Sequence, residues 1–187
     1  NPGDPIVHYK FDESFGDTAV DSIHPNDPNY HGTLTTMASP WYPGFGQSGE
    51  SDDGAIFFDR TFGVDVPVSI FDGITEGVTV SVWLQGYDMF GQTNYAFSGQ
   101  NATQTDNIFA TIFAGDGRII WRCPNFLTWY LGVTQDDFED VWTHYALVKD
   151  KVLQILKIYR NGELVAMGPS LGQAVEEVAY FRIGETP

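Results

Sequence analysis

The chain has 187 residues, of which 42% are hydrophobic and 15% aromatic, so it has enough apolar surface to fold and is not intrinsically disordered. Its 25 acidic and nine basic residues give a formal net charge of -16, and that field repels phosphate backbones and anionic lipid headgroups. No apolar run reaches the ~18 residues that span a bilayer. We therefore expect neither a nucleic acid partner nor insertion into a membrane.

Length and cysteine content predict one domain without disulfides. A chain of this size fits a single all-β domain, which we place at residues 1–187, with residues 1–5 as a linker. Cys123 is the only cysteine, so no intramolecular disulfide is possible. Nothing near it in sequence would lower its pKa, and we expect a buried structural thiol.

Apolar residues alternate with period two along most of the chain, as is typical of half-buried strands. The first alternation joins Val7, Tyr9 and Phe11. Further strands are predicted at residues 55–58, 78–84, 108–113, 118–122, 142–148, 152–159, 163–167 and 178–183. A short helical turn is expected at 71–76, and the stretches 24–54 and 87–107 are expected to be long loops.

Turn signals and the lack of crossover helices predict the fold class. Asp116-Gly117 and Asn161-Gly162 favour tight hairpin turns, and a third turn is expected at 149–151. Strands without helical crossovers pair antiparallel, so we predict an all-β sandwich of two stacked sheets. The expected core contains Phe57, Val80, Val82, Trp83, Trp142 and Ala146.

Several motifs follow one another in an order that resembles a known family. They include Val-His-Tyr-Lys-Phe-Asp-Glu at 7–13, a strand ending in Trp83, the W-x-H-x-A-x-V pattern of 142–148 and the Y-x-N-G pattern of 159–162. Together they resemble the laminin G-like, concanavalin A-like jelly-roll domains of bacterial extracellular proteins. The resemblance implies a concanavalin A-like antiparallel β-sandwich (jelly roll) and a secreted or cell-surface location.

The same resemblance raises a question about the last strand. In the family, the stretch resembling 181–184 is usually followed by an acidic residue and a final strand. Here the sequence stops at Pro187. Either that strand lies beyond residue 187, or residues 174–181 take its place in the sheet.

One loop carries oxygen ligands of the kind that calcium prefers. Asp21, Asn26, Asp27 and Asn29 lie within nine residues, and calcium takes six to eight such oxygens. The resemblance adds that calcium is often bound near the corresponding loop in laminin G-like domains. We predict a structural calcium ion with Asp21, Asn26 and Asn29 as ligands. The alternative is that these residues only form turns.

Two aromatic regions are candidates for binding a carbohydrate, since an aromatic ring stacks on the C–H face of a sugar. The first is Trp41, Tyr42 and Phe45 in a loop rich in proline and glycine. The second combines Tyr87, Asn94, Tyr95 and Gln100 with Trp121, Asn125, Trp129 and Tyr130. The preferred ligand-binding residues are Trp41, Tyr42, Tyr95, Trp121, Asn125, Trp129 and Tyr130. The alternative is that these rings cover the rim or fill the core.

Catalysis is the weaker hypothesis. A glycoside hydrolase on this fold needs two convergent carboxylates, for which Asp137 and Glu139 are the nearest pair, although a polar loop is favoured there. His144 is expected to be a hydrogen-bonded core residue. We therefore predict a non-catalytic, lectin-like module of a larger secreted protein, with a carbohydrate as its partner. The alternatives are an adhesive module for a cell-surface protein and a glycoside hydrolase.

Overall fold

A computed structural model describes residues 4–36, 39–74, 76–87, 93–102, 107–114, 116–123, 126–170 and 178–184. Within these ranges the strands are β1 (Thr18–Ala19), β2 (Gly32–Leu34), β3 (Trp41–Tyr42), β4 (Ala55–Ile56), β5 (Val64–Asp65), β6 (Gly77–Leu84), β7 (Asn94–Gln100), β8 (Asn107–Ala114), β9 (Arg118–Cys123), β10 (Phe126–Leu131), β11 (Thr143–Asp150), β12 (Ile155–Arg160), β13 (Glu163–Pro169) and β14 (Tyr180–Ile183). One short helix, α1, spans Gln135–Phe138, and 3-10 turns lie at Pro28–Tyr30 and Val68–Phe71.

The strands form two main sheets and a small ribbon. The large sheet has the order β1-β2-β5-β14-β7-β8-β9-β10, and the small sheet has the order β13-β12-β11-β6. Strands β3 and β4 form a separate two-stranded ribbon. All pairings between these strands are antiparallel, as the sequence predicts. The expected all-β fold class is confirmed.

The two sheets bury a common core. Phe97, Trp121 and Phe181 project from the large sheet, and Leu147 and Ile158 project from the small one. The Trp121 side chain is 0% exposed. Its indole N–H donates a 2.9 Å hydrogen bond to the carbonyl oxygen of Val148 in the opposite sheet. Cys123 is also buried, as expected, and burial raises the pKa of its thiol to about 11.

The alternation in β6 and β11 decides which side chains enter the core. Along β11, Thr143, Tyr145 and Leu147 are fully buried, so the residues between them face outward. The prediction that Ala146 faces inward is therefore wrong. Val80 packs against the core, as predicted, together with Val82.

Four other aromatic or imidazole side chains also depart from the predicted facing. Trp83 is 45% exposed, and its ring lies 5.2 Å from that of the neighbouring His144 on the outer face. A 2.7 Å hydrogen bond joins the His144 ring to the Ser81 hydroxyl, as the prediction of a hydrogen-bonded histidine requires. The prediction that His144 lies in the core is wrong, because it lies on the outer face. Phe57 is exposed as well, and Trp142 is only half-buried.

Tight turns close the hairpins where the sequence predicts them. Asn161 and Gly162 have φ angles of 48° and 83°, and they connect Arg160 of β12 directly to Glu163 of β13. Asp116-Gly117 likewise lies between β8 and β9. The turn expected at 149–151 lies slightly later, at residues 151–154, because β11 continues to Asp150.

Six strands of the structure, β1, β2, β3, β5, β7 and β10, are not among those predicted from the sequence, and one helical turn is displaced. The strand predicted at Val7, Tyr9 and Phe11 is wrong, because the structure has only an isolated bridge there, between Tyr9 and Asp21. Strand β7 lies inside the stretch 87–107, which was expected to be a loop, and β10 was not predicted at all. The 3-10 turn comes at Val68–Phe71, ahead of the predicted 71–76. Strand β14 pairs with β5 and β7 inside the large sheet, while residues 174–177 of the expected substitute strand and residues 185–187 lie outside the described residues.

Replacing two tryptophans by alanine tests which side chains face the core and which face solvent. Trp121→Ala should lower the free energy of unfolding by about 3–5 kcal/mol, because it leaves a large cavity in the core. Trp83→Ala should lower it by about 1 kcal/mol or less, because that ring is half-exposed. Urea denaturation followed by far-ultraviolet circular dichroism measures both. Equal losses in the two variants would contradict the assignment of faces.

Candidate functional site

Four exposed aromatic rings touch one another in a row at one margin of the sandwich. The ring centroids of Phe45 and Tyr42 are 5.8 Å apart, those of Tyr42 and Phe57 are 5.9 Å apart, and those of Phe57 and Tyr87 are 6.3 Å apart. Phe45 and Tyr87 are 66% and 67% exposed. We call these four residues the aromatic ridge.

The β3–β4 ribbon fixes the centre of the ridge. Tyr42 pairs with Ala55 across the ribbon, and the backbone N–H of Phe57 donates a 3.1 Å hydrogen bond to the carbonyl of Pro40. These contacts hold Tyr42 and Phe57 side by side. The neighbouring Trp41 side chain points the other way, into a second small core. The alternation of the strand thus exposes one ring and buries the next.

Asp53 anchors the turn that carries Phe45. Its backbone carbonyl accepts a 2.8 Å hydrogen bond from the N–H of Gly46, and its side chain accepts one of 2.6 Å from the N–H of Ser48. Hydrogen bonds from the Ser48 side chain and backbone hold the pKa of the Asp53 carboxyl below its ordinary value. Asp53 is therefore ionised at neutral pH, and it keeps the turn and its exposed phenyl ring in place.

Gly86 determines the position of Tyr87 at the other end of the ridge. Its N–H bonds to the carbonyl of Phe138 at 3.0 Å, and its carbonyl accepts from the N–H of Asp140 at 3.0 Å. A side chain at position 86 would collide with the buried Phe138 ring, so this close approach requires glycine. Tyr87 follows directly and projects into solvent.

The ridge has the chemistry of a sugar-binding surface. Aromatic faces pack on the apolar C–H face of a sugar ring, while tyrosine hydroxyls donate hydrogen bonds to its hydroxyl groups or accept hydrogen bonds from them. Successive rings are inclined at 88°, 59° and 73°, so they form an uneven surface and not a flat plane. Large exposed aromatic patches on a soluble protein typically mark a binding site.

A second exposed surface lies on the outer face of β9 and β10. We call it the edge patch. In the antiparallel register, Arg118 is opposite Leu131, Ile120 is opposite Trp129, and Arg122 is opposite Leu127. Trp129 is 53% exposed, and both leucines are also exposed. The edge patch therefore combines an accessible indole with guanidinium groups.

Two residues predicted to bind a ligand are buried, and these predictions are wrong. Trp121 is enclosed between the sheets, as described above. Trp41 is 6% exposed, and its indole N–H donates to the carbonyl of Gly16 at 2.9 Å. Neither ring can present its face to a ligand. The alternative given in the sequence analysis, that such rings fill the core, is confirmed for Trp41 and Trp121.

The remaining predicted ligand-binding residues fall into different places. Tyr42 lies in the aromatic ridge and Trp129 in the edge patch, both exposed. Tyr95 is half-buried in β7, and Tyr130 is half-buried and packs against the main core. Asn125 lies outside the described residues. The second predicted region is therefore not a uniformly exposed surface, because Trp129 is exposed whereas Tyr95 and Tyr130 are half-buried.

Sequence analysis missed one member of the ridge and misplaced another. Phe57 was expected in the core, and Tyr87 was grouped with Tyr95 and not with Tyr42. Ile56, Phe57 and Phe58 are consecutive apolar residues, so they contain no alternation from which the outward side chain could be identified. Contacts between Tyr87 and the ribbon are long-range, and only the fold reveals them.

Asp21 is buried at the centre of the loop predicted to bind calcium. Its carboxylate accepts hydrogen bonds from the backbone N–H of His8 at 2.6 Å and from the backbone N–H and side-chain Nδ1 of His24, both at 2.7 Å. The Asp21 N–H in turn donates to Nδ1 of His31 at 3.2 Å. Asp21 therefore joins three segments that carry histidines, two through its carboxylate and one through its backbone N–H.

This geometry does not fit the predicted ligand set well. Donors already face the Asp21 oxygens, and the Asp27 side chain accepts from the backbone and side-chain nitrogens of Asn29, as in an Asx turn. Asn26 is exposed. In the part of the chain that the structure describes, no group of three or more His, Cys, Asp or Glu side chains is arranged to hold a metal. Calcium at this loop stays a prediction.

The carboxylates considered for hydrolysis also have structural partners. Asp137 lies in α1 and not on a strand, and it accepts from the Thr134 hydroxyl at 2.6 Å and from Arg160 at 3.1 Å. These two bonds lower the pKa of Asp137 to about 2. Glu139 accepts from the Gln135 amide at 2.6 Å. The alternate placement of Asp137 and Glu139 on one strand, as considered from sequence, does not occur.

The role of Asp21 leads to a pH-dependent prediction. Burial by itself would raise the pKa of its carboxyl, but the hydrogen bonds from His8 and His24 outweigh burial and lower it. Asp21→Asn should reduce the free energy of unfolding by about 2 kcal/mol at pH 7, because it removes charge-assisted hydrogen bonds.

The pH profile separates this effect from a simple loss of packing. A depressed folded pKa contributes stability above the unfolded pKa of about 3.9, and that contribution disappears as the pH falls through the folded value. The difference between wild type and Asp21→Asn should therefore shrink as the pH falls below about 4. Urea titrations from pH 7 downward measure it, with Asp52→Asn on an exposed turn as the control. A difference that is constant with pH would rule out this role.

Comparisons with known proteins identify the fold. Domain 4 of AbnA, a GH43 extracellular arabinanase from Geobacillus stearothermophilus, in complex with arabinotriose, is 19% identical and has a TM-score of 0.63, covering 97% of this chain and 83% of that chain. The IT-sialidase CBM40 of Ruminococcus gnavus bound to α2,3 sialyllactose is 18% identical with a TM-score of 0.53, covering 65% and 72%. At such identities the likeness concerns the fold alone.

Sequence comparison assigns the family. No curated protein matches the chain. Across the described residues, no helix has the length and apolarity required to cross a membrane. A family model described as the concanavalin A-like lectin/glucanases superfamily matches residues 58–187, which include β5 to β14 and Tyr87 of the ridge. The chain therefore belongs to the concanavalin A-like lectin/glucanases superfamily.

Proposed function

We propose that this chain is a non-catalytic, carbohydrate-binding module of a secreted or cell-surface protein, and that the aromatic ridge is its binding surface. The observation that carries the proposal is the row of four exposed, mutually contacting rings of Phe45, Tyr42, Phe57 and Tyr87. Leaving these rings in water forgoes the stability that their burial would give, about 1.5–3 kcal/mol for a phenylalanine side chain. A binding role accounts for their exposure.

The comparisons support this proposal at the level of the fold. The arabinanase domain is complexed with arabinotriose, and the CBM40 domain is bound to sialyllactose. Both are sandwiches of the same kind as this chain, although folds of this kind host several functions. The sugar recognised here is not assigned from them.

The state of the carboxylates supports a non-catalytic role. A glycoside hydrolase needs one carboxyl that remains protonated to act as an acid. Asp137, with a pKa of about 2, is ionised, and its oxygens bond to Thr134 and Arg160. The ridge offers exposed rings, whereas Asp137 and Glu139 are held by hydrogen bonds within the fold.

Alanine variants of the ridge test the proposal. The ligand is first found by screening the protein on a glycan array and a panel of soluble polysaccharides. Isothermal titration then compares wild type with Tyr42→Ala, Phe45→Ala and Tyr87→Ala. Each variant should weaken binding about tenfold, since removal of a stacked ring costs on the order of 1.4 kcal/mol.

Phe15 provides a matched control. It is 82% exposed, and no ring contact links it to the ridge among the described residues. Phe15→Ala should leave affinity unchanged, which separates loss of the ridge from loss of any surface aromatic. Binding that survives all three ridge variants would refute the site. A protein that binds no glycan, with or without a calcium chelator, would favour the adhesive alternative instead.

A further inference from the structure

The edge patch is locally basic in an acidic protein. The chain has nine basic residues against 25 acidic ones, yet the outward positions of β9 and β10 carry two arginines and no carboxylate. These positions are Arg118, Ile120, Arg122, Leu127, Trp129 and Leu131. Elsewhere the negative field repels anions. The arginines of the edge patch therefore attract an anionic group, which the rest of the protein repels.

Arg122 differs from the other arginines whose contacts are defined. Arg118 bonds Asp116 through Nε, at 2.9 and 2.8 Å to the two carboxylate oxygens. Arg160 bonds Asp137, and Arg182 bonds Asp65. No described carboxylate pairs with Arg122. This half-buried residue lies on the face of β9 opposite that of the buried Trp121 and Cys123. None of the hydrogen bonds or ion pairs defined between described side chains involves Arg122, and a guanidinium binds a ligand carboxylate in bidentate fashion.

Trp129 lies next to that guanidinium. Because Arg122 is opposite Leu127 and Trp129 is two residues further along β10, the two side chains are diagonal neighbours on one face. Diagonal neighbours in an antiparallel pair are about 7–8 Å apart, which is within reach of long and aromatic side chains. The exposed indole and the Arg122 guanidinium therefore lie on one face, within reach of one ligand, with Leu127 beside them.

We propose that the edge patch is a second binding site, which takes an acidic sugar. The sugar carboxylate accepts hydrogen bonds from the Arg122 guanidinium, and the C–H face of the same sugar packs on the Trp129 indole. The choice of a sugar as the anionic ligand rests on the proposed function, whereas the site itself is separate from the aromatic ridge. An Arg-carboxylate contact distinguishes an acidic sugar from its neutral counterpart.

Pairs of ligands that differ only in charge provide the test. Oligosaccharides of galacturonic acid, glucuronic acid and sialic acid are compared with their methyl esters, which lack the negative charge and keep the sugar ring. Isothermal titration of wild-type protein should find at least one acid that binds about tenfold or more tightly than its ester, as expected for a charge-assisted contact. Equal affinity for every acid and its ester, including no binding of either, would overturn the proposal.

Variants then assign the preference to residues. Arg122→Gln should abolish the preference for the acid and leave binding of the ester unchanged, while Trp129→Ala should weaken both. Arg182→Gln makes the same change in charge outside the edge patch, at a guanidinium that Asp65 already holds, and it should preserve the preference. A preference that survives Arg122→Gln, in protein whose circular dichroism matches wild type, would contradict the site.

The same titrations separate this inference from the proposed function. Tyr42→Ala in the ridge should leave the acid preference intact. If Tyr42→Ala loses the preference for the acid and Arg122→Gln keeps it, the acid binds at the ridge and the second site is overturned. Loss in Arg122→Gln alone supports the edge patch whether or not the ridge binds a glycan.

Discussion

The face-to-face packing of the two sheets is the constraint on which the rest of the structure depends. Trp121 makes this contact most directly, since its ring is fully buried and its indole N–H bonds to the Val148 carbonyl of the other sheet. Because side chains alternate along β9, the burial of one face determines which residues lie on the other. Arg122 and Ile120 face solvent because Trp121 and Ile119 face the core.

The aromatic ridge lies outside the main core. The buried aromatic side chains of the main core come from β7, β9, β11, β14 and α1, and the rings of the β3–β4 ribbon are not among them. Hydrogen bonds of the backbone and of Asp53 hold that ribbon and its turn. The ridge is thus rigidly supported without being buried, which lowers the entropy that binding would cost.

Much of the fold, and less of the site, could be predicted from the sequence. Period-two alternation and the Asn161-Gly162 turn identified most strands and the antiparallel sandwich, because these signals are local. Which face is inward is not local, and for this reason Trp83 and Phe57 were placed in the core. Strand β7 was missed because residues 94–100 include Gly99 and several polar side chains. The ridge joins residues 42 and 87, a pairing that only the tertiary fold brings about.

The central claim is that ligand recognition takes place on exposed rings at the margin of a packed sandwich. Aromatic ¹³C-edited NMR of the protein, titrated with the best glycan from the screen, tests it most directly. The account predicts that the ring signals of Phe45, Tyr42, Phe57 and Tyr87 shift and show contacts to sugar protons, while those of buried Trp121 do not. Sugar contacts confined to other surfaces, with the ridge signals unchanged, would contradict it.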